Sequence, residues 1–381
     1  LDNLVGEMSF ENSIENPPFY EYLNFITDMQ EKINPIKQQL QNADGKTKES
    51  LEKKAQEIDN KVRAYRAEFL KNNADKFFSK ILLATTEIEI PEAPLDSTGN
   101  PDKNFPYLYY KKHFWDNIDF SDERILRTPI FFSKMEQYLE KLTVKHPDSI
   151  SISADILVEK SRANDEVFKY VVNYITSTYE RSKIMGMDAV FVHMVEKYYI
   201  TNQCNWVDST DLVKIADRAQ KIAPNLIGRK ASEFHDAYGR PFMRDTLGII
   251  HTLNEINANY TVLVFFGPTC GHCKKEMPKI KNTVDSLITI GYNIETFAVA
   301  TEFDKEEWKK FINEQGTGDW INVADINHDS EGNPVASSDW RDKYDIYSTP
   351  VVYLLDKEKS ILAKRINHTQ IAEIINRLEE N

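Results

Sequence analysis

The N-terminal part of the chain shows the hydrophobic spacing of amphipathic helices. In residues 19–40 apolar side chains recur at intervals of three or four, and a second run after Asp44-Gly45 repeats this spacing. Side chains at such intervals share one face of a helix. The two runs therefore predict a helical hairpin with a glycine-containing turn, whose apolar faces pack together.

Helical patterns continue to about residue 200. Residues 88–106 contain four prolines and Gly99, which predict a loop. Helical spacing returns beyond it, with a break at Thr128-Pro129; the segments are 122–142, 165–183, 188–199 and 211–222. We predict an all-helical domain over residues 1–200 and a polar linker with one short helix over 201–225.

After about residue 226 short apolar runs alternate with amphipathic helices. The predicted strands are 260–267, 293–300, 351–356 and 360–365, and the predicted helices are 274–290, 305–314 and 370–379. Such alternation is typical of a sheet with helices on both faces. The expected fold class is α+β overall, with an all-α N-terminal domain followed by an α/β domain over 226–381.

Composition and charge exclude two classes of protein. No apolar run approaches the roughly 18 to 20 residues needed to span a bilayer. The formal net charge is −13, and both halves of the chain are mildly acidic. Nucleic-acid binding needs a basic stripe, so nucleic acid is not an expected partner.

The candidate chemistry lies in Cys270-Gly271-His272-Cys273, which follows an apolar strand and opens a helix. A helix N-terminus carries partial positive charge and free N–H groups, which stabilise a thiolate, and a protonated His272 adds to this. The pKa of a free thiol is about 8.5, and at such sites it falls to roughly 3.5–7.5. We predict that Cys270 is the nucleophile and that Cys273, one turn later, attacks the mixed disulfide formed at Cys270.

Other uses of these cysteines are less favoured. A structural zinc site needs four ligands, and the sequence has no second C-x-x-C pair, so no metal site is expected. A structural disulfide across this short loop closes little chain. Cys204 stands alone beside Trp206, and we predict that it is a packed thiol without a functional role.

Three segments in the expected order resemble the thioredoxin-fold thiol-disulfide oxidoreductases of the TlpA and ResA type. They are IGRKASEF at 227–234, with Ser232 where proline is usual, VLVFFGPTCGHCKKEMP at 262–278 and YSTPVVYLLD at 347–356. The resemblance covers about 155 residues at the C-terminal end of the chain. It implies a thioredoxin-like fold with no cofactor. Residues 1–200 resemble an uncharacterised helical domain found ahead of such modules in Gram-negative envelope proteins.

The resemblance also implies roles for individual residues. Cys270 matches the attacking cysteine and Cys273 the resolving one. Pro350 matches a cis-proline beside the disulfide, and it would contact substrate together with Thr349 and Gly271.

Glu276 matches the glutamate of the family's E-x-P segment. It could accept the proton of Cys273, which requires a raised pKa. The alternative is a solvated glutamate beside Lys274 and Lys275.

The chain departs from the family at two positions. Thr269 stands where Trp is common, just before the first cysteine. Val264 stands where thioredoxin keeps a buried acid. If proton transfer is assisted, Glu276 is therefore the candidate.

The family implies a protein-disulfide reductase or interchange enzyme of the cell envelope or periplasm, acting on disulfide-containing proteins with a membrane-bound electron donor. Because the chain starts at Leu1 rather than Met, we expect a trimmed form whose missing segment could carry an anchor.

Three alternatives remain. The Gly-His dipeptide also fits an oxidase or isomerase. The helical half could make the chain a binding protein with a secondary redox pair. A thiol peroxidase is disfavoured, because peroxiredoxins have Thr three residues before their cysteine and this chain has Gly267.

Overall fold

A computed structural model of the chain describes residues 10–95, 97–302, 304–327 and 335–380. The chain forms two compact units, one made of residues 1–144 and 155–171 and the other of residues 145–154 and 172–381. No helix in the described residues is both long enough and apolar enough to cross a membrane. The domain limits at residues 200 and 225 stay a prediction.

The first unit is helical and begins with the hairpin that the sequence predicts. Helix α1 (Asn16–Leu40) packs against α2 (Gly45–Asn72). Tyr22, Phe69 and Leu82 form a buried cluster, the last of them in α3 (Phe77–Ala84). Helices α4 (Phe105–His113) and α5 (Pro129–Glu136) also lie in this unit, with a 3-10 turn (Glu123–Arg127) and a π-helical turn (Gln137–Lys141).

Two helices, α6 (Pro147–Ser161) and α7 (Asp165–Glu180), have residues in both units. The described residues between α3 and α4 form no helix, in line with their prolines. The all-helical character of the N-terminal region is therefore confirmed.

The second unit continues with α8 (Asp188–Met194), a π-helical turn (Val195–Tyr199), α9 (Ser209–Ile222) and a 3-10 turn (Ala223–Asn225). Buried Asp345 accepts hydrogen bonds from Arg218 of α9 at 2.6 Å and from Arg365 at 2.7 Å. Asp188 of α8 forms an ion pair with Lys364. These charged contacts attach α8 and α9 to the sheet of the same unit.

A five-stranded sheet forms the centre of the second unit, in the order β3-β2-β1-β4-β5. Its strands are β1 (Tyr260–Phe266), β2 (Ile294–Ala300), β3 (Ile321–Ala324), β4 (Val351–Leu355) and β5 (Ile361–Lys364). The first three strands are parallel, whereas β4 is antiparallel to both β1 and β5. All seven residues of β1 are buried, as a central strand requires.

Alternate side chains of β1 enter two cores. Val262 and Val264 belong to the core that includes α10 (Gly271–Thr289), α11 (Lys305–Gln315) and α13 (His368–Glu379). Leu263 and Phe265 belong to the other, which includes the short α12 (Trp340–Lys343). Helices therefore cover both faces, and the predicted α+β fold class is confirmed.

Candidate active site

Cys270 lies where β1 leads into α10. It is the N-cap residue of α10, and its Sγ accepts a hydrogen bond from the backbone N–H of Cys273 at 3.4 Å. The side chain is partly exposed. The sulfur thus occupies the positive end of a 19-residue helix, which favours its ionised form.

The pKa of Cys270 is lowered from its ordinary value. Burial by itself would raise it, but hydrogen bonds, led by the one from the Cys273 backbone, outweigh burial. The side chain of His272 is exposed, and its backbone contributes to the same lowering. The helix start thus favours a reactive thiolate at Cys270.

Cys273 has the opposite surroundings. Its side chain is fully buried, and its Sγ accepts a hydrogen bond from the backbone N–H of Gly267 at 3.5 Å. Burial raises the pKa of Cys273 to about 12. Both cysteines are free thiols, so the site is an asymmetric dithiol with one accessible and one enclosed sulfur.

The Thr349–Pro350 segment completes the site beside Cys270. Its peptide bond is cis, and the Thr349 carbonyl accepts a hydrogen bond from Cys270 Sγ at 3.5 Å. Pairing of Phe265 with Val351 brings this segment to the end of β1. Gly271 is exposed, and a Cβ added there would meet no atom within 4 Å. The three residues expected to contact substrate are thus partly or fully accessible.

Glu276 does not have the raised pKa that a proton acceptor for Cys273 needs. Its carboxylate lies 2.8 Å from Lys279 Nζ and 3.6 Å from His368 Nδ1. Lys279 lowers the pKa of Glu276 from its ordinary value, and this outweighs the effect of burial. Of the two readings that the sequence left open, this favours a charged glutamate, because the helix places a lysine one turn further along.

The sequence interpretation missed Glu302, which follows β2. Its Oε2 accepts a hydrogen bond from the backbone N–H of Thr269 at 3.0 Å, and its Oε1 accepts one from Thr269 Oγ1 at 3.0 Å. Parallel strands end at the same sheet edge, so a polar residue just after β2 could have been placed near the end of β1.

Cys204, the third cysteine of the chain, has surroundings unlike those of Cys270. Cys204 is buried, and burial raises its pKa to about 12. In the described part of the chain, no group of three or more His, Cys, Asp or Glu could hold a metal ion. Val264, at the position of thioredoxin's buried acid, is fully buried in the core.

The family comparisons divide the chain into two parts. Residues 227–364 match the AhpC/TSA family, and residues 43–225 match a domain of unknown function, DUF5106. The C-terminal part of the chain is thus similar to the AhpC/TSA family over these residues. The resemblance of this AhpC/TSA domain to thioredoxin-fold proteins is therefore confirmed, and a separate DUF5106 domain precedes it. No curated protein matches the chain.

Several solved structures are similar to the chain. A thioredoxin-like protein from Bacteroides caccae is 19% identical, with 76% of this chain and 99% of that one covered and a TM-score of 0.52. A domain of a possible thiol-disulfide isomerase from Cytophaga hutchinsonii is 35% identical over 41% of this chain and 94% of that one, with a TM-score of 0.34.

The thioredoxin domain of a thiol-disulfide oxidoreductase from Bacteroides vulgatus is 23% identical over 40% of this chain and 96% of that one, with a TM-score of 0.30. The likeness to the Bacteroides caccae protein shows the thioredoxin-like fold.

Proposed function

We propose that the chain is a thiol-disulfide oxidoreductase of the bacterial cell envelope that reduces or exchanges disulfides in other proteins. The asymmetry of the Cys270–Cys273 pair carries this proposal. Cys270 is accessible and its pKa is lowered, whereas Cys273 is enclosed and its pKa is raised to about 12. Disulfide exchange needs one sulfur that attacks a partner and a second that is kept from competing for it.

In the reducing direction, the Cys270 thiolate attacks one sulfur of a substrate disulfide. A bond forms between Cys270 Sγ and that sulfur, the substrate S–S bond breaks, and the leaving thiolate takes up a proton. Cys273 then loses its proton and attacks Cys270 Sγ. This releases the second substrate thiol and leaves a Cys270–Cys273 disulfide.

Each cycle moves two electrons from the protein dithiol to the substrate, so a donor must reduce the pair again. We propose a membrane-bound donor, on the basis of the resemblance to the TlpA and ResA type. Fractionation of cells that express the full-length gene product tests the location, and recovery in the cytoplasmic fraction would contradict an envelope protein.

Insulin reduction by the full chain tests the cysteine roles. Cys270→Ser should abolish turnover, because no other described thiol combines exposure with a lowered pKa. Cys273→Ser should make the first attack and then retain the substrate as a mixed disulfide. Cys204→Ser is the matched control and should turn over like the wild type. If Cys273→Ser accumulates no mixed disulfide with a substrate that the wild type reduces, Cys273 is not the resolving residue.

The opposite direction, oxidation or isomerisation, is the second candidate. A lowered pKa at the attacking cysteine stabilises the reduced pair and makes its disulfide a better oxidant, and the Gly271-His272 dipeptide fits the same direction. The equilibrium potential of the Cys270–Cys273 pair against glutathione distinguishes the two directions. A value near about −270 mV would favour the reductase, and one near about −180 mV would favour the oxidase or isomerase.

The structure gives no support to a peroxidase of the peroxiredoxin kind. Position 267, where that enzyme class has its threonine, is a glycine, and a Cβ there would lie 2.4 Å from Glu302 Oε1, so a threonine could enter only if this carboxylate moved away.

A further inference from the structure

Glu302 reaches the segment that presents Cys270 from the end of the neighbouring strand. Strands β1 and β2 are parallel, with Phe266 paired to Ala300, so their carboxyl ends lie at one sheet edge. The backbone N–H of Thr301 donates to the Phe266 carbonyl at 2.8 Å and continues this pairing beyond the strand ends. Glu302, the next residue, is thus placed opposite the loop that follows β1.

The carboxylate of Glu302 holds one residue of that loop at two points. It accepts from both the backbone N–H and the hydroxyl of Thr269, each at 3.0 Å. Thr269 is the residue directly before Cys270. The loop itself is closed by a hydrogen bond from the Cys270 N–H to the Gly267 carbonyl at 3.1 Å. Glu302 therefore fixes the middle of the four-residue turn from Gly267 to Cys270.

Gly267 has no side chain and therefore leaves room for the Glu302 carboxylate. A Cβ at this position would lie 2.4 Å from Glu302 Oε1 and 3.3 Å from Cys270 Cβ. The φ of Gly267 is not in the left-handed region, so backbone conformation does not require glycine there. A methyl group at this position could enter only if the Glu302 carboxylate moved away from Thr269.

We propose that Glu302 is a positioning residue for Cys270. It holds Thr269 in the turn and so keeps Cys270 Sγ at the start of α10, where the backbone N–H of Cys273 reaches it at 3.4 Å. The effect on turnover rests on the proposed function, whereas the positioning itself can be measured on the thiol alone.

Two variants separate positioning from charge. Glu302→Gln removes the charge but keeps an oxygen that accepts from the Thr269 N–H and an amide that donates to Thr269 Oγ1. Glu302→Ala removes the charge and both hydrogen bonds. A nearby negative charge raises the pKa of a thiol, so a pure charge effect would lower the pKa of Cys270 in both variants. Positioning predicts that only Glu302→Ala changes the pKa, and that it rises.

The first measurement is the rate of Cys270 alkylation by iodoacetamide in the reduced full chain as a function of pH. We expect Glu302→Gln to follow the wild type and Glu302→Ala to react about threefold or more slowly at pH 7, which corresponds to a rise of about one pKa unit once the higher nucleophilicity of a more basic thiolate is included. Glu314→Ala, which removes an exposed carboxylate from α11, is the matched control. A wild-type profile for Glu302→Ala, or equal shifts in both Glu302 variants, would overturn the proposal.

Thr269→Val tests the same contact in case Glu302→Ala does not fold. It removes only the Oγ1 bond at an exposed position, so it should slow alkylation in the same direction but by less. A rate equal to that of the wild type would contradict the role of this contact.

Gly267→Ala breaks the contact between Glu302 and Thr269 in a second way, because the new methyl group displaces the Glu302 carboxylate. It should reproduce the Glu302→Ala profile, and the double variant should show no further shift. Gly318→Ala is the control, since its Cβ would meet only Ile312 Cγ2, at 4.0 Å. Full addition of the two shifts would show that the positions act separately and would overturn the proposal.

Insulin reduction measured on the same proteins separates the two claims. If the wild type fails to reduce insulin while Cys270 alkylation still depends on Glu302 as expected, the proposed function fails and the positioning role stands. If the wild type reduces insulin while Glu302→Ala has the wild-type alkylation profile, the reverse holds.

Discussion

The strongest prediction concerns selective alkylation of the reduced protein. Limited treatment with iodoacetamide at pH 7 should label Cys270 and leave Cys273 unmodified, because the thiolate is the reacting species. The two sulfurs are separated by one helical turn, so a difference in rate reports their surroundings rather than their region of the chain.

The structure gives a magnitude for this difference. A thiol with an ordinary pKa of about 8.5 is about 3% ionised at pH 7. Burial raises the pKa of Cys273 to about 12. A thiol with that pKa is ionised to about one part in 100,000 at pH 7, so the thiolate populations differ by about 3,000-fold. The higher intrinsic nucleophilicity of a more basic thiolate recovers about 40-fold, and this leaves a rate ratio of roughly 50- to 100-fold.

This ratio is a lower bound, since the pKa of Cys270 is lowered and Cys273 is fully buried. Mass spectrometry of tryptic peptides after timed quenching measures all three cysteines in one sample. Cys204, whose pKa is also raised to about 12 by burial, is the internal control. Labelling of Cys273 within about tenfold of Cys270 would refute the asymmetry on which the proposed mechanism depends.

Three further predictions follow from charges and buried thiols. Glu276→Gln should leave the pH profile of Cys273 unchanged, because Glu276 pairs with a lysine; a shifted profile in single-turnover exchange would restore it as a proton acceptor. Asp345→Ala should lower the free energy of unfolding by about 1.5–3 kcal/mol and Asp345→Asn by less, since alanine removes the hydrogen bonds to two partly exposed guanidinium groups; equal losses in urea titrations would contradict this. Above about pH 9 the free energy of unfolding should fall with pH more slowly in Cys204→Ala than in the wild type, by about 1.4 kcal/mol per pH unit. The unfolded thiol ionises before the folded one, whose pKa is about 12, and parallel curves for the two proteins would contradict the prediction.

Elements with strong local patterns could be predicted from the sequence. The apolar run at 260–267 became β1 because all its positions are buried, and the helix predicted from residue 274 begins at Gly271 because Cys270 is its N-cap residue. Strand β3 was missed. It has four residues, including Asn322, and it is a strand through its pairing with β2, which no local pattern shows.

The candidate site, too, could be predicted only in part from the sequence. The cysteine pair and the segment at Thr349 follow from motifs, whereas the contact between Glu302 and Thr269 joins residues 33 positions apart. The neighbour Lys279 lies three residues after Glu276 on the same helix, so its contact with Glu276 could have been predicted from the sequence. The contact with His368 could not, because only the fold brings these two residues together.

The ion pairs of α8 and α9 determine where the chain can be cut. A fragment that starts at residue 226 would lose Asp188 and Arg218. Lys364, which is 9% exposed, would then lack its carboxylate, and buried Asp345 would keep only one of its two arginine partners. Unpaired buried charges are costly, so expression of the redox domain alone should succeed better when the fragment begins before α8.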